Sequence, residues 1–221
     1  MQAIESQTLI LYHTDLRGQW PQAAARTFAL QLPYLKRLTV SSGSAVERAS
    51  VAGLALARHA LTRLLGRAVE VGEIVLAAGR KPAFAGPQAL AAGEAAQPRS
   101  ARAGCGAQES VDFSISHSGP WVGCAALAHG RVGFDVEVGT EARIADWVVR
   151  EAVLKATGEG LRAAYEVRGL ELTADAAHWR GQSWHLRRLD LFAGASAAVM
   201  SSTPLQALEA QAVALEELFA P

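Results

Sequence analysis

The sequence predicts a globular domain of mixed helices and strands. Three observations predict it. Ser44 to Leu65 carries apolar residues at helical spacing, Val111 to Val138 reads as successive strands, and Glu141 to Thr157 returns to a helical pattern. The composition suits such a domain. The chain has 221 residues with 50% apolar, 19% charged and 6% aromatic content, which excludes a disordered or fibrous chain. One large domain or two small lobes fit that length. No apolar run reaches the roughly 18 residues of a membrane span. Met1 to Leu16 holds Glu5 and Asp15 and no basic start before an apolar stretch, so no signal peptide is expected. Cys105 and Cys124 make neither a disulfide framework nor a zinc knuckle, and a reducing cytoplasm is the expected location.

The first strong element is the Ser44–Leu65 helix. Ser44 and Glu47 have capping-box spacing, and Gly66 stands where a C-terminal stop belongs. Leu54, Leu61 and Leu65 mark its buried face. Arg58 falls on that face, either as a snorkelling or salt-bridged arginine or as an anion ligand. Ala77 to Ala107 reads as loop around one ordered island, Arg80 to Phe84. Val111, Phe113 and Ile115 then alternate with Asp112, Ser114 and Ser116, the period of a strand. Trp121 to Ala128 is a second strand, and His129-Gly130 turns into a third, Arg131 to Val138, expected to be its hairpin partner. The helix Glu141 to Thr157 ends at Gly158. Further strands are expected near Leu170–Leu172, Trp184–Leu191 and Ala195–Met200. Leu205, Leu208, Leu215 and Leu218 predict a terminal helix packed on the core. Trp184 to Ser201 loosely echoes Val111 to Ala128, as two similar lobes or a chance likeness of alanine-rich strands would.

Charge is balanced overall but not along the chain. Residues 16 to 105 hold twelve Arg/Lys against four Asp/Glu, and the remainder nine against seventeen. Such a division suits a polyanion on one side and a cation on the other, or two parts that compensate across an internal interface. Non-specific nucleic-acid binding is disfavoured.

The strand Arg131 to Val138 concentrates the chemistry. Asp135 and Glu137 share one face, where they repel unless a cation lies between them. Oxygen ligands of this kind suit Mg²⁺ or Mn²⁺. Trp147, Glu151 and Lys155 recur every four residues on the following helix and share a face. With only three lysines in the chain, against eighteen arginines, Lys155 is not surface filler. His117 and Ser116 stand before a glycine turn, where they can meet a phosphate. The set describes a divalent cation held by Asp135, Glu137 and Glu151, with His117, Lys81 and Lys155 around a phosphate-bearing substrate. By itself this chemistry also suits metal-dependent phosphoryl transfer on another nucleotide-like substrate. P-loop, dinucleotide-binding, zincin and hydrolase signatures are missing from the sequence.

Four stretches in this order resemble the 4′-phosphopantetheinyl transferases of the two-lobed, surfactin-synthetase-activating type. They are Arg80-Lys81-Pro82, Phe113 to Gly119, Val132 to Glu137, and Trp147 through Arg150-Glu151-Ala152 and Lys155 to Leu161. The resemblance implies an α+β fold of two similar α/β lobes related by a pseudo-twofold axis, here 1–129 and 130–221, with coenzyme A between them. It implies transfer of the 4′-phosphopantetheine arm of coenzyme A to a serine of an acyl, peptidyl or aryl carrier protein, a holo-acyl-carrier-protein synthase activity of a monomer. By the same resemblance, Asp135, Glu137 and Glu151 would hold Mg²⁺. Lys81, Ser116, His117 and Lys155 would meet the phosphates, and Lys36, Arg37 and Arg48 the 3′-phosphate of the adenosine. Glu151 would serve as base, with Lys155 and His117 beside it in the catalytic set. The chain departs from the family pattern in two places. Arg150 stands where a lysine is usual, which keeps the charge and removes any proton shuttle. Nine residues separate Glu137 from Trp147, and the longer segment usual there helps to shape the carrier-docking side. Arg143 and Arg150 are then the expected docking cations, and a non-catalytic coenzyme A- or carrier-binding relative is the alternative reading.

Overall fold

The computed structural model describes residues 7–32, 44–76, 81–86 and 111–220. Lys36, Arg37, Arg80, Cys105 and most of the expected loop lie outside them. The fold is mixed α+β. Strand β1 (Gln7–Asp15) pairs antiparallel with β5 (Trp121–Leu127) and parallel with β11 (Leu205–Ala212). Strand β4 (Asp112–Ser118) closes this first sheet at its edge beside β5. The second sheet has the order β6 (Val132–Val138), β10 (Ala195–Ser201), β9 (Gln182–Leu189), β8 (Ala176–Trp179), β7 (Glu171–Leu172). A two-strand ladder joins β2 (Ile74–Val75) and β3 (Ala83–Phe84).

Helix α2 (Ala45–Leu65) covers the first sheet with α1 (Gln22–Leu30) packed against it, and α3 (Ala142–Thr157) covers the second. The expected boundaries of α2 hold. Ser44 caps it through the Glu47 N–H, Glu47 returns the bond, and Gly66 leaves it in a left-handed conformation. Arg58 proves to be a tethered arginine, reaching the Ala220 carbonyl and lying 5.4 Å over the Phe28 ring. One apolar core packs α1 and α2 on the first sheet, a second packs α3 on the second sheet, and a third lies between the sheets, with Leu9, Leu11 and Leu127 from one and Phe134, Val136 and Val199 from the other. The layers therefore run helix, sheet, sheet, helix.

Two expectations are corrected. The strand after His129-Gly130 does not return beside β5. It is β6, paired with β10, and the turn carries the chain into the second sheet. The terminal leucines do not form a helix. Leu205 and Leu208 lie on β11, while Leu215 and Leu218 follow it in a turn and fill the first core. β11 finds a parallel partner in β1, and that long-range pairing overrides the helical spacing of its leucines. Strands β1 and β8 and helix α1 are further elements of the fold.

One connectivity occurs twice. A leading strand (β1, β6) and a helix (α2, α3) precede an antiparallel hairpin (β4–β5, β9–β10), whose second strand pairs antiparallel with the leading one. The sequence echo falls on those two hairpins.

Candidate functional site

The site lies at the seam between β4 and β6. These edge strands run alongside in register, offset by 20 residues, and side chains bridge them instead of a backbone ladder. Asp112 Oδ2 accepts the Val132 N–H at 2.7 Å, Ser114 Oγ the Phe134 N–H at 3.0 Å, and Ser118 Oγ the Val138 N–H at 3.1 Å. The polar face of β4 is thus a seam and not a solvent face. Ser116 interrupts the series. Its hydroxyl donates to Asp135 Oδ1 at 2.7 Å and accepts from Lys155 Nζ at 2.8 Å.

Helix α3 brings the remaining groups. It sits directly over β6 because residue 133 is glycine. A Cβ there would lie 1.9 Å from the Ala152 carbonyl oxygen and 2.5 Å from the Ala156 nitrogen. This approach sets Glu151 and Lys155 above Asp135. Lys155 Nζ donates to Asp135 Oδ1 at 2.7 Å and stands 3.3 Å from Glu151 Oε1. Glu137 Oε2 accepts the Ser118 hydroxyl at 2.6 Å. Each of Asp135, Glu137 and Glu151 offers a carboxylate oxygen within 4.8 Å of the other two.

The electrostatics favour a cation. Asp135 is fully buried, and its Oδ2 has no hydrogen-bond partner. Burial pushes its carboxyl up to about 6, against the pull of Lys155 and with the added repulsion of Glu151. Three carboxylates face one ammonium, and an orphaned buried oxygen costs free energy until something binds it. Hard oxygen donors with room for further ligands fit Mg²⁺ or Mn²⁺. The three acids expected to hold a metal are therefore brought together, with Ser116 and Lys155 at their side.

The other expected residues are placed differently. His117 points to the opposite side of β4 from Ser116. Its imidazole is pushed down by partial burial first, then by the Lys155 charge, with Glu137 acting against both. It stands at the rim of the cluster. Lys81 is away from it, at the opening of β4 and β6. Its ammonium donates to Asp112 Oδ2 and to the Val132 carbonyl, both at 2.6 Å. It ties the seam and is not directed at the carboxylates. Arg48 lies in the first turns of α2. Gly53 of that helix rests on Ile115 of β4, whereas Arg63 reaches Glu209 of β11, so the end with Arg48 is on the β4 side. Lys36 and Arg37 fall outside the described residues. Ser118 and Asp112 belong to the site and its seam without having been singled out, although the two-residue spacing of polar side chains on β4 was their signal.

No protein-family model matches the chain, and no curated protein matches it.

Proposed function

We propose that the protein is a Mg²⁺-dependent 4′-phosphopantetheinyl transferase, moving the arm of coenzyme A to a carrier-protein serine in the cytoplasm. One observation carries the reading. The Asp135–Glu137–Glu151 cluster, with its orphaned buried Oδ2 and adjoining Lys155, is assembled from the stretches that carry the sequence resemblance. The repeated connectivity supports two pseudo-twofold lobes, although β11 crosses from the second stretch of chain into the first sheet.

Mg²⁺ bound by Asp135, Glu137 and Glu151 would neutralise the pyrophosphate of coenzyme A. Glu151 takes the proton of the carrier serine, whose oxygen bonds to the pantetheine phosphorus as the pyrophosphate P–O bond breaks. Lys155 meets the negative charge growing on the departing adenosine 3′,5′-bisphosphate. Ser116 and His117 orient the phosphates, and Arg48, with Lys36 and Arg37, receives the 3′-phosphate. Lys81 acts at one remove, by holding β4 to β6.

The test is mass spectrometry of apo-carrier proteins incubated with the protein, coenzyme A and Mg²⁺. A gain of one phosphopantetheine on a carrier serine is expected. Coenzyme A binding without any gain would overturn transfer and leave the non-catalytic relative, which the short link from Glu137 to Trp147 favours.

A further inference from the structure

The contacts of the acidic cluster treat the two oxygens of each carboxylate differently. Asp135 Oδ1 accepts from the Ser116 hydroxyl and from Lys155 Nζ, both at 2.7 Å. Glu137 Oε2 accepts the Ser118 hydroxyl at 2.6 Å. Glu151 Oε1 stands 3.3 Å from the Lys155 ammonium. The second oxygen of each acid has no hydrogen bond or ion pair among the described residues. One of them, Asp135 Oδ2, belongs to a fully buried side chain, and a lone buried oxygen beside two further carboxylates calls for a cation. The cluster therefore offers one free oxygen from each of its three acids.

At Glu137 this division depends on one residue. Asp135 Oδ1 has two donors, whereas Glu137 Oε2 has Ser118 alone. A hydroxyl carries one proton, and that of Ser118 goes to Glu137. Its direction is fixed as well, because the same oxygen accepts the Val138 N–H at 3.1 Å. Ser118 ties the Glu137 side chain to the backbone of the strand that bears it. The carboxylate is turned before any cation arrives, with Oε2 occupied and the other oxygen left to ligate.

Coordination chemistry turns that arrangement into a preference. Mg²⁺ and Mn²⁺ take about six oxygens in an octahedron and keep several waters, which suits single oxygens from separate carboxylates. Ca²⁺ takes about six to eight, readily including both oxygens of one glutamate. We infer that Ser118 is a positioning residue that holds Glu137 to one-oxygen ligation and so biases the site toward Mg²⁺ and Mn²⁺ against Ca²⁺. The inference deepens the transferase reading, resting on its metal site and not on its substrates.

The test is calorimetric titration of Mg²⁺ and of Ca²⁺, without coenzyme A, into wild type, S118A, S118T and S114A. S118A frees Glu137 Oε2 to join the other oxygen on one cation. Its Mg²⁺ affinity should fall about tenfold or more, while Ca²⁺ affinity holds or rises. The ratio of the two affinities then moves about tenfold or more toward Ca²⁺. S118T keeps the hydroxyl and should keep the ratio within about twofold of wild type. S114A removes the acceptor of the Phe134 N–H from the same seam and should leave the ratio unchanged. In parallel, electron spin-echo spectroscopy of bound Mn²⁺ in D₂O counts its waters, about three expected in wild type and about two in S118A. An unchanged ratio in S118A, an equal shift in S114A, or about two waters in wild type overturns the inference and leaves the transferase reading intact. Absence of any bound cation in wild type overturns it together with the metal dependence of that reading. If the ratio shifts as expected but no carrier is ever modified, the role of Ser118 stands and the transferase reading falls.

Discussion

Glu137 and Glu151 bring the same charge to the same cluster from different elements, and that difference separates their roles. Glu137 is tied to Ser118 on the strand side, whereas Glu151 stands on helix α3. A ligand lost from the strand should weaken Mg²⁺ binding and be recovered by excess metal. A lost base should lower the chemical step at any metal concentration. We therefore expect Glu137→Gln to be largely rescued at high Mg²⁺, and Glu151→Gln to stay down about 10²–10⁴-fold in turnover at saturating Mg²⁺ and coenzyme A. Single-turnover kinetics across a Mg²⁺ series checks both. Full activity of Glu151→Gln at high metal would reduce Glu151 to a ligand. These acids were legible in the sequence because strand and helix periods each place side chains by local rule. The role of Lys81 was not. Its partner Asp112 is 31 positions away, and nothing local distinguishes a lysine that clamps two strands from one that meets a phosphate.

Among the elements, α3 on β6 is the contact that builds the site, and Gly133 is its critical position. Alanine there would press Cβ into the helix backbone, which cannot rotate aside as a side chain can. The helix must lift, and Glu151 and Lys155 must move off Asp135 with it. Gly133→Ala should lower stability by about 3 kcal/mol, the upper end of overpacking, and weaken Mg²⁺ binding as well. Urea unfolding and calorimetric Mg²⁺ titration measure the two effects. By contrast, Ser44→Ala removes only the α2 cap, about 1 kcal/mol, and should leave metal affinity unchanged. If Gly133→Ala lost stability but kept wild-type Mg²⁺ affinity, the cluster would not depend on this contact. Helix α2 could be read from its capping box and glycine stop, and α3 from its helical spacing and the stop at Gly158. β11 could not, because Leu205 and Leu208 imitate a helical stripe and the deciding partner, β1, lies at the other end of the chain. The seam stayed hidden for a related reason. Alternating serines read as a solvent face until a second strand is placed against them.

At the scale of the whole molecule, two half-buried histidines couple the first sheet and its covering helix to pH. His13 on β1 and His59 on α2 are both half-buried and both held below their ordinary value of 6.5, in each case chiefly by burial. His59 also lies 2.9 Å from the Leu218 carbonyl, joining α2 to the C-terminal turn that fills the first core. With folded values below the unfolded one, their contribution is complete above about pH 6.5 and is lost as the pH falls through the folded values, since the unfolded chain takes up protons first. Asp135 works in the opposite sense. Its carboxyl, raised to about 6, makes the native state the better proton acceptor, so protonating it on acidification favours the fold. The two contributions overlap between about pH 7.5 and 5.5, and the wild-type profile alone cannot separate them. A double variant, His13→Gln and His59→Gln, can. Glutamine does not titrate, and at residue 59 it can still donate to the Leu218 carbonyl. Melting temperatures of wild type and variant should diverge on acidification, wild type losing more, with each 1 kcal/mol appearing as about 2–4 °C in a chain of this length. Parallel profiles from pH 7.5 to 5.5 would show that neither histidine couples folding to protons.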